Sequence, residues 1–155
     1  KLLLIFGSYL AKQGLLAKDT VVITVMSNMG LKIALKEKGI KIGLATSTSE
    51  EHAKQELDEA GIWDYFDGRI FGNMITKSKP APEIYEKACR AVGVRPEFAL
   101  ALEDAPSGVK SAYSAGLRVI MIPDMVQPTE EVRAMTWDVK ESLLDVIDII
   151  ETYSE

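Results

Sequence analysis

Four times along the chain a helix tail ends in a glycine followed by an apolar residue: Lys36-Glu-Lys-Gly39-Ile, Asp58-Glu-Ala-Gly61-Ile, Arg90-Ala-Val-Gly93-Val and Tyr113-Ser-Ala-Gly116-Leu. Glycine just past a helix end takes the left-handed conformation that other residues resist, and so closes the last turn. Three of the four lead, at once or within a few residues, into the apolar runs Ile40–Ala45, Phe98–Leu102 and Leu117–Ile122. Continuous apolar runs of this length belong to strands buried on both faces. Helices alternating with such strands imply βαβ units. The expected fold is therefore α/β: a three-layer, Rossmann-like, doubly wound sheet, mainly parallel.

The pattern predicts a strand over Leu2–Phe6, a helix over Met29–Lys38, a strand over Ile40–Ala45 and a helix over Glu50–Ala60. An aromatic turn, Trp63–Phe66, and a short strand, Arg69–Phe71, come next. Helix Glu83–Val92 follows, with Pro82 in the first turn, where a missing N–H costs nothing. Strand Phe98–Leu102, helix Ser107–Ala115 and strand Arg118–Ile122 complete the sheet-building part. The tail offers a short helix led by Pro128, an edge strand near Met135–Val139 and a helix over Ser142–Glu151. That last helix carries a wide apolar stripe, which docks it on the core. Residues 7–26 hold the strand-prone Val21-Val-Ile-Thr-Val25 but no helix-length periodic segment.

A chain of 155 residues suits one domain with a single buried core. The net charge of −5 and the lack of a basic run argue against nucleic acid as a partner. No apolar run reaches the roughly 20 residues of a membrane span, and Lys1–Phe6 is too short for a signal-peptide core. The single Cys89 excludes an internal disulfide and suits a reducing, cytoplasmic setting. Inside helix Glu83–Val92 it reads as a buried, inert thiol. Nothing in the sequence sets an oligomeric state.

Polar groups collect where the strands end, which is where an open α/β sheet holds its ligands. Thr46 and Ser47 stand where strand Ile40–Ala45 breaks into a polar loop, with Ser49 placed to cap the next helix. Loop hydroxyls beside free N–H groups at a helix start make an anion site, although hydroxyl residues there also serve simply as caps. Lys79 precedes the stiff Pro80-Ala-Pro82 and is either a fixed charge for a phosphate or a solvated lysine beside Lys77. Glu103-Asp104 follows strand Phe98–Leu102. Two adjacent carboxylates at a buried strand end repel unless a positive group lies between them, and such oxygen ligands suit Mg²⁺. The plainer alternative makes them N-caps for helix Ser107–Ala115.

With these residues in view, the chain resembles the haloacid dehalogenase-like (HAD) hydrolase superfamily, in particular its β-phosphoglucomutase-like branch. The resemblance runs from about Leu31 to Glu151 and rests on Gly43-Leu-Ala-Thr46-Ser, Lys79-Pro-Ala-Pro and Leu102-Glu-Asp-Ala-Pro-Ser-Gly108. It implies that Thr46, with Ser47, and Lys79 hold a transferring phosphoryl group, with Thr46 and Lys79 acting in catalysis. It further implies that Asp104 and Glu103 hold Mg²⁺, that the backbone at Ser107-Gly108 shapes the pocket, and that the substrate is a small phosphorylated metabolite such as a sugar phosphate. The first motif departs from the family. Where Asp-x-Asp-Gly is expected after the first strand, Gly7 and Tyr9 stand at the two Asp positions. Glycine cannot form an aspartyl-phosphate, and covalent phosphoryl transfer needs that nucleophile.

The family also inserts a helical cap domain between its first and second motifs, whereas only the short segment 7–28 stands there in an otherwise single core domain, 1–155. Either the chain, which begins at Lys, lacks a nucleophile-plus-cap segment, or it is a truncated relative whose core no longer catalyses. Three functions are thus open. One is a Mg²⁺-dependent phosphatase or phosphomutase. Another is an inactive module that binds phosphate and Mg²⁺. The third is a receiver-like signalling domain, which also needs an early acceptor Asp. Of the remaining residues, His52 reads as a solvated helix residue, Trp63-Asp-Tyr-Phe-Asp67 as packing under a loop, and Asp124 as a turn residue or a second group facing the site.

Overall fold

The computed structural model describes residues 41–142, 145 and 146. The expected strand Leu2–Phe6, Gly7, Tyr9, the segment 7–28, helix Met29–Lys38 and most of helix Ser142–Glu151 lie outside the described residues.

In chain order the elements are β1 (Gly43–Ala45), α1 (Glu50–Glu59), β2 (Gly68–Ile70), α2 (Glu83–Val92), β3 (Leu100–Glu103), α3 (Pro106–Ser114), β4 (Arg118–Met121), α4 (Glu130–Ala134) and β5 (Asp138–Val139). Short 3-10 turns occupy Trp63–Tyr65, Gly72–Met74 and Pro96–Phe98. Among the described residues every strand pairing is parallel, β1 with β2 and β3-β4-β5 in that order. The register sets Glu103 beside Met121 and Met121 beside Val139, so these strand ends lie side by side. The chain is an α/β protein with a Rossmann-like core, as its helix–glycine–strand rhythm implied.

That rhythm holds at the level of backbone angles. Gly61, Gly93 and Gly116 take φ of 66°, 72° and 88°, the left-handed values that end α1, α2 and α3. Helix α2 packs on β1 and β2, α3 packs on β3 and β4, and the two helices touch. Their inner faces supply Ile84, Tyr85, Ala88, Val109 and Ala112 to a core that also holds Leu44, Leu100, Leu102, Val119 and Ile120. Trp63 stacks on Phe71 at 6.1 Å, with Arg69 over its ring, so the aromatic turn is packing under a loop. Cys89 is buried, which pushes its thiol up to about 12, and His52 is exposed on α1.

Several boundaries differ from the sequence reading. Phe98 belongs to the Pro96–Phe98 turn, so β3 starts two residues later and runs one further, into Glu103. Phe71 leaves β2 to begin the Gly72–Met74 turn, and β2 starts at Gly68. Lys41 and Ile42 precede β1, Ile122 follows β4, and only Asp138 and Val139 of the expected edge strand pair as β5. Pro106 begins α3, and Thr129 caps α4 by accepting from the Val132 N–H. Ser49 occupies the N-cap position of α1 without capping it; its hydroxyl meets His52 Nδ1 at 2.8 Å instead. No helix among the described residues is long and apolar enough to cross a membrane.

Candidate functional site

Thr46, Ser47, Thr48, Lys79, Glu103, Asp104, Ala105, Ser107 and Gly108 line one cavity of about 260 Å³. All five residues singled out from the sequence are among them. Their convergence follows from strand direction, since β1 of the two-stranded sheet delivers Thr46 and β3 of the three-stranded sheet delivers Glu103, each at a carboxyl end. A larger polar cavity, about 440 Å³, opens between Pro123, Gln127, Arg133, Val139, Lys140 and Glu141. None of the five lines it, and neither does Asp124.

The loop after β1 is shaped to present hydroxyls. Thr46 is 3% exposed; its N–H donates to Ile70 O at 3.0 Å, which extends the β1–β2 ladder by one step. Its Oγ1 accepts from the Thr48 N–H at 3.2 Å, leaving its own O–H to donate. Ser47 is exposed. The loop is braced from the opposite side by Gly72, whose N–H donates to Thr48 O at 2.9 Å. A Cβ on Gly72 would lie 2.1 Å from the Ser47 carbonyl oxygen, so only glycine permits this approach.

Lys79 is not a solvated surface lysine. Its side chain is 12% exposed and makes an ion pair with Glu103, which is 4% exposed. The Lys79–Pro80 peptide is cis. The Glu103 carboxylate accepts at Oε1 from both the Lys79 ammonium and the Tyr85 hydroxyl. Lys79 Nζ also lies 3.4 Å from Tyr85 Oη and 5.0 Å from the centre of its ring. Burial raises the Tyr85 hydroxyl well above its ordinary range, and the neighbouring Glu103 charge and hydrogen bond reinforce the shift. Nor do the two carboxylates cap α3, whose N-cap is Ala105 and receives no side-chain capping bond. Gly108 makes room for Glu103: a Cβ there would lie 1.9 Å from the Glu103 carboxyl carbon.

Two further contacts hold the lysine loop. Ser111, fully buried on α3, donates to Ala81 O at 2.6 Å and ties that helix to the Pro-Ala-Pro segment. At the start of α2, Glu83 accepts from Lys87 Nζ at 2.7 Å, from the Thr76 hydroxyl at 2.8 Å, and from the Thr76 and Lys77 N–H groups. Led by Lys87, these bonds pull the Glu83 carboxyl down to about 2 from 4.5. A carboxyl whose folded value is depressed stabilises the fold above its unfolded value and loses that contribution as pH falls through the folded one. Glu83→Gln is therefore expected to lower the melting temperature at pH 7, with the gap to the parent narrowing below pH 4.5 and closing near pH 2. Thermal melts across that range check it; a gap that does not change with pH would contradict the clamp.

Mg²⁺ suits this donor set. Asp104 and Glu103 offer hard oxygen ligands in one cavity, and Mg²⁺ takes one or two carboxylates with water and substrate phosphate as the rest. No group of three or more His, Cys, Asp or Glu side chains among the described residues is placed to hold a metal ion, so water and substrate phosphate would have to complete the shell of a cation at these two carboxylates. Asp104, half-buried at the cavity, and Glu103, already paired with Lys79, are the residues that would hold the cation.

Parallel βα units that bring a hydroxyl, an ammonium and a carboxylate pair to one cavity define a Rossmann-like α/β class with its polar site at the carboxyl ends of the strands. The family of haloacid dehalogenase-like hydrolases matches residues 25–122 of this chain, and the chain belongs to that family. It is similar to the phosphorylated carbohydrates phosphatase of Thermotoga maritima, 41% identical over 96 residues that make up 60% of this chain and 44% of that protein. The crystal structure of CbbY from Rhodobacter sphaeroides in complex with phosphate superposes with a TM-score of 0.67 at 32% identity, over 77% of this chain and 55% of that one. β-Phosphoglucomutase from Clostridium difficile gives a TM-score of 0.66 at 28% identity, over 80% and 53% respectively. The chain spans 44% to 55% of the length of curated relatives that it matches.

Sequence reasoning missed Tyr85, Glu83, Thr48 and Gly72. Tyr85 carried one readable signal, since a tyrosine on the buried face of an amphipathic helix needs a partner for its hydroxyl. The others act through loops whose folding brings distant segments together.

Proposed function

We propose that the chain forms the phosphoryl-binding part of a Mg²⁺-dependent phosphatase or phosphomutase site for a small phosphorylated metabolite, with phosphorylated carbohydrates the favoured class. The reading is carried by one observation: Thr46, Ser47, Lys79, Glu103 and Asp104 line a single cavity at the carboxyl ends of parallel strands. Similarity to a phosphorylated carbohydrates phosphatase and to a phosphate complex of CbbY supports the substrate class.

In this reading Thr46 Oγ1 and the Ser47 hydroxyl donate to phosphoryl oxygens, while Lys79 opposes their negative charge. The positive end of α3 faces the same cavity through Ser107 and Gly108 and favours an anion there. Mg²⁺ at Asp104 and Glu103 would neutralise charge on the phosphoryl group. The five residues bind and orient; attack on phosphorus falls to a group outside them. A second reading, a module that binds phosphate and Mg²⁺ without turnover, rests on the sequence resemblance that sets Gly7 and Tyr9 at the two Asp positions, which lie outside the family match over residues 25–122.

Asp104→Asn is expected to abolish Mg²⁺ binding in a calorimetric titration and to leave the thermal melt within a few degrees of the parent. Equal Mg²⁺ affinity in parent and variant would overturn the metal assignment. Mg²⁺-dependent hydrolysis of an aryl phosphate by the parent, lost in Asp104→Asn, would favour the enzyme. Orthophosphate and Mg²⁺ binding without hydrolysis would favour the binding module.

A further inference from the structure

Tyr85 is the one member of the Lys79–Glu103 cluster without a formal charge, and it is wholly buried. Its hydroxyl and the Lys79 ammonium share a single acceptor atom, Glu103 Oε1. A hydrogen bond to a carboxylate oxygen draws off part of its charge and fills one of its lone-pair directions. Every increment of that bond weakens the hold of Glu103 on Lys79. An anion entering the cavity needs the same ammonium, because among the described residues lining it Lys79 is the only cation. The lysine is thus divided between an internal carboxylate and a ligand, and the third group at Oε1 sets the division.

We propose that Tyr85 is a positioning residue of the anion site: its hydroxyl bond to Glu103 Oε1 loosens the Lys79–Glu103 pair and frees the ammonium to meet a bound phosphate. The proposal rests on the phosphoryl-binding reading above. It assigns Tyr85 no contact with the ligand, since Tyr85 does not line the cavity.

The test is orthophosphate binding to the full chain in Mg²⁺-free buffer, measured by calorimetry for the parent, Tyr85→Phe, Glu103→Gln, the double variant and Lys79→Met. Tyr85→Phe keeps the ring under Lys79 and removes only the hydroxyl. It is expected to weaken phosphate binding three- to tenfold in the parent background. In the Glu103→Gln background, where no carboxylate competes for Lys79, the same change is expected to alter affinity less than twofold. A purely structural role would give equal losses in both backgrounds, and that result overturns the proposal. So does an unchanged affinity in Tyr85→Phe when Lys79→Met has lost at least tenfold. Parent-like affinity in Lys79→Met would instead remove the phosphoryl-binding reading itself, and this proposal with it. Should Tyr85→Phe fail to fold, the parent labelled with 3-fluorotyrosine provides the test. Orthophosphate must shift one buried fluorine resonance, a shift absent in Lys79→Met, and no such shift counts against the proposal.

Discussion

Lys79→Met is expected to lower stability by about 3–5 kcal/mol, because it strands a buried carboxylate whose cationic partner is gone. Glu103 is 4% exposed and cannot turn to water without leaving its place beside Gly108. The Tyr85 hydroxyl still donates to it, which sets the loss at the lower end of that range. For a domain of this size the melting temperature should fall by roughly 10 °C. The decisive comparison is the double variant Lys79→Met/Glu103→Gln. Removing both charges takes away the desolvation penalty along with the attraction, so most of the lost stability should return. Phosphate affinity should not return, since the ammonium is still missing. Urea unfolding of the two variants checks the first half and calorimetry the second. If the double variant were no more stable than Lys79→Met alone, the pair would not be the buried, charge-balanced unit the structure describes.

The second large effect is expected at Gly108, in the first turn of α3. Alanine inside a helix normally gains up to about 1 kcal/mol over glycine. Here the added methyl would lie 1.9 Å from the Glu103 carboxyl carbon and within 2.2 Å of both its oxygens. A free side chain would swing aside, but this one is pinned at Oε1 by Lys79 and Tyr85. Gly108→Ala must therefore break those contacts or displace α3, and overpacking together with the disrupted pair should outweigh the helix gain by about 2–4 kcal/mol. The same variant should lose phosphate and Mg²⁺ binding together. In a Glu103→Ala background the methyl has room, and Gly108→Ala should then cost less than about 1 kcal/mol beyond Glu103→Ala alone. Equal costs in the two backgrounds, read by denaturant unfolding, would place the effect in the helix rather than at the carboxylate.

How much of this was legible beforehand divides along physical lines. The helix-ending glycines were readable because a left-handed residue is a local requirement, and Gly61, Gly93 and Gly116 meet it. The strand edges were less so. Phe98 and Leu100 belong to one apolar stretch, yet Pro96 starts a tight turn that consumes Phe98 before the ladder begins. Hydrophobicity reports burial, and both segments are packed against the core, so it could not mark the change of backbone between them. Thr46, Ser47, Glu103 and Asp104 were legible as types at strand ends and Lys79 as a lysine before a stiff proline segment, and the fold brings all five to one cavity. Their states were not. Whether Lys79 was solvated or held, and whether Glu103 faced a cation or a helix start, depended on a partner 24 positions away in the chain. In sequence, Tyr85 and Glu83 are only members of the helix over Glu83–Val92, because their role appears once the loops fold back over it.

The sharing of Glu103 Oε1 also bears on the total charge of the cavity. The formal charges of its lining residues Lys79, Glu103 and Asp104 sum to a single negative charge, modest enough for a partly enclosed space. A divalent cation arriving with a phosphate dianion adds two charges of each sign and leaves that sum where it was. The dianion alone would drive it to three negatives, and the cation alone would make it positive. In a medium that solvates ions poorly, those imbalances are what enclosure penalises most. Joint occupancy should therefore bind far more tightly than the separate affinities suggest, with the two ligands reinforcing each other by equal factors.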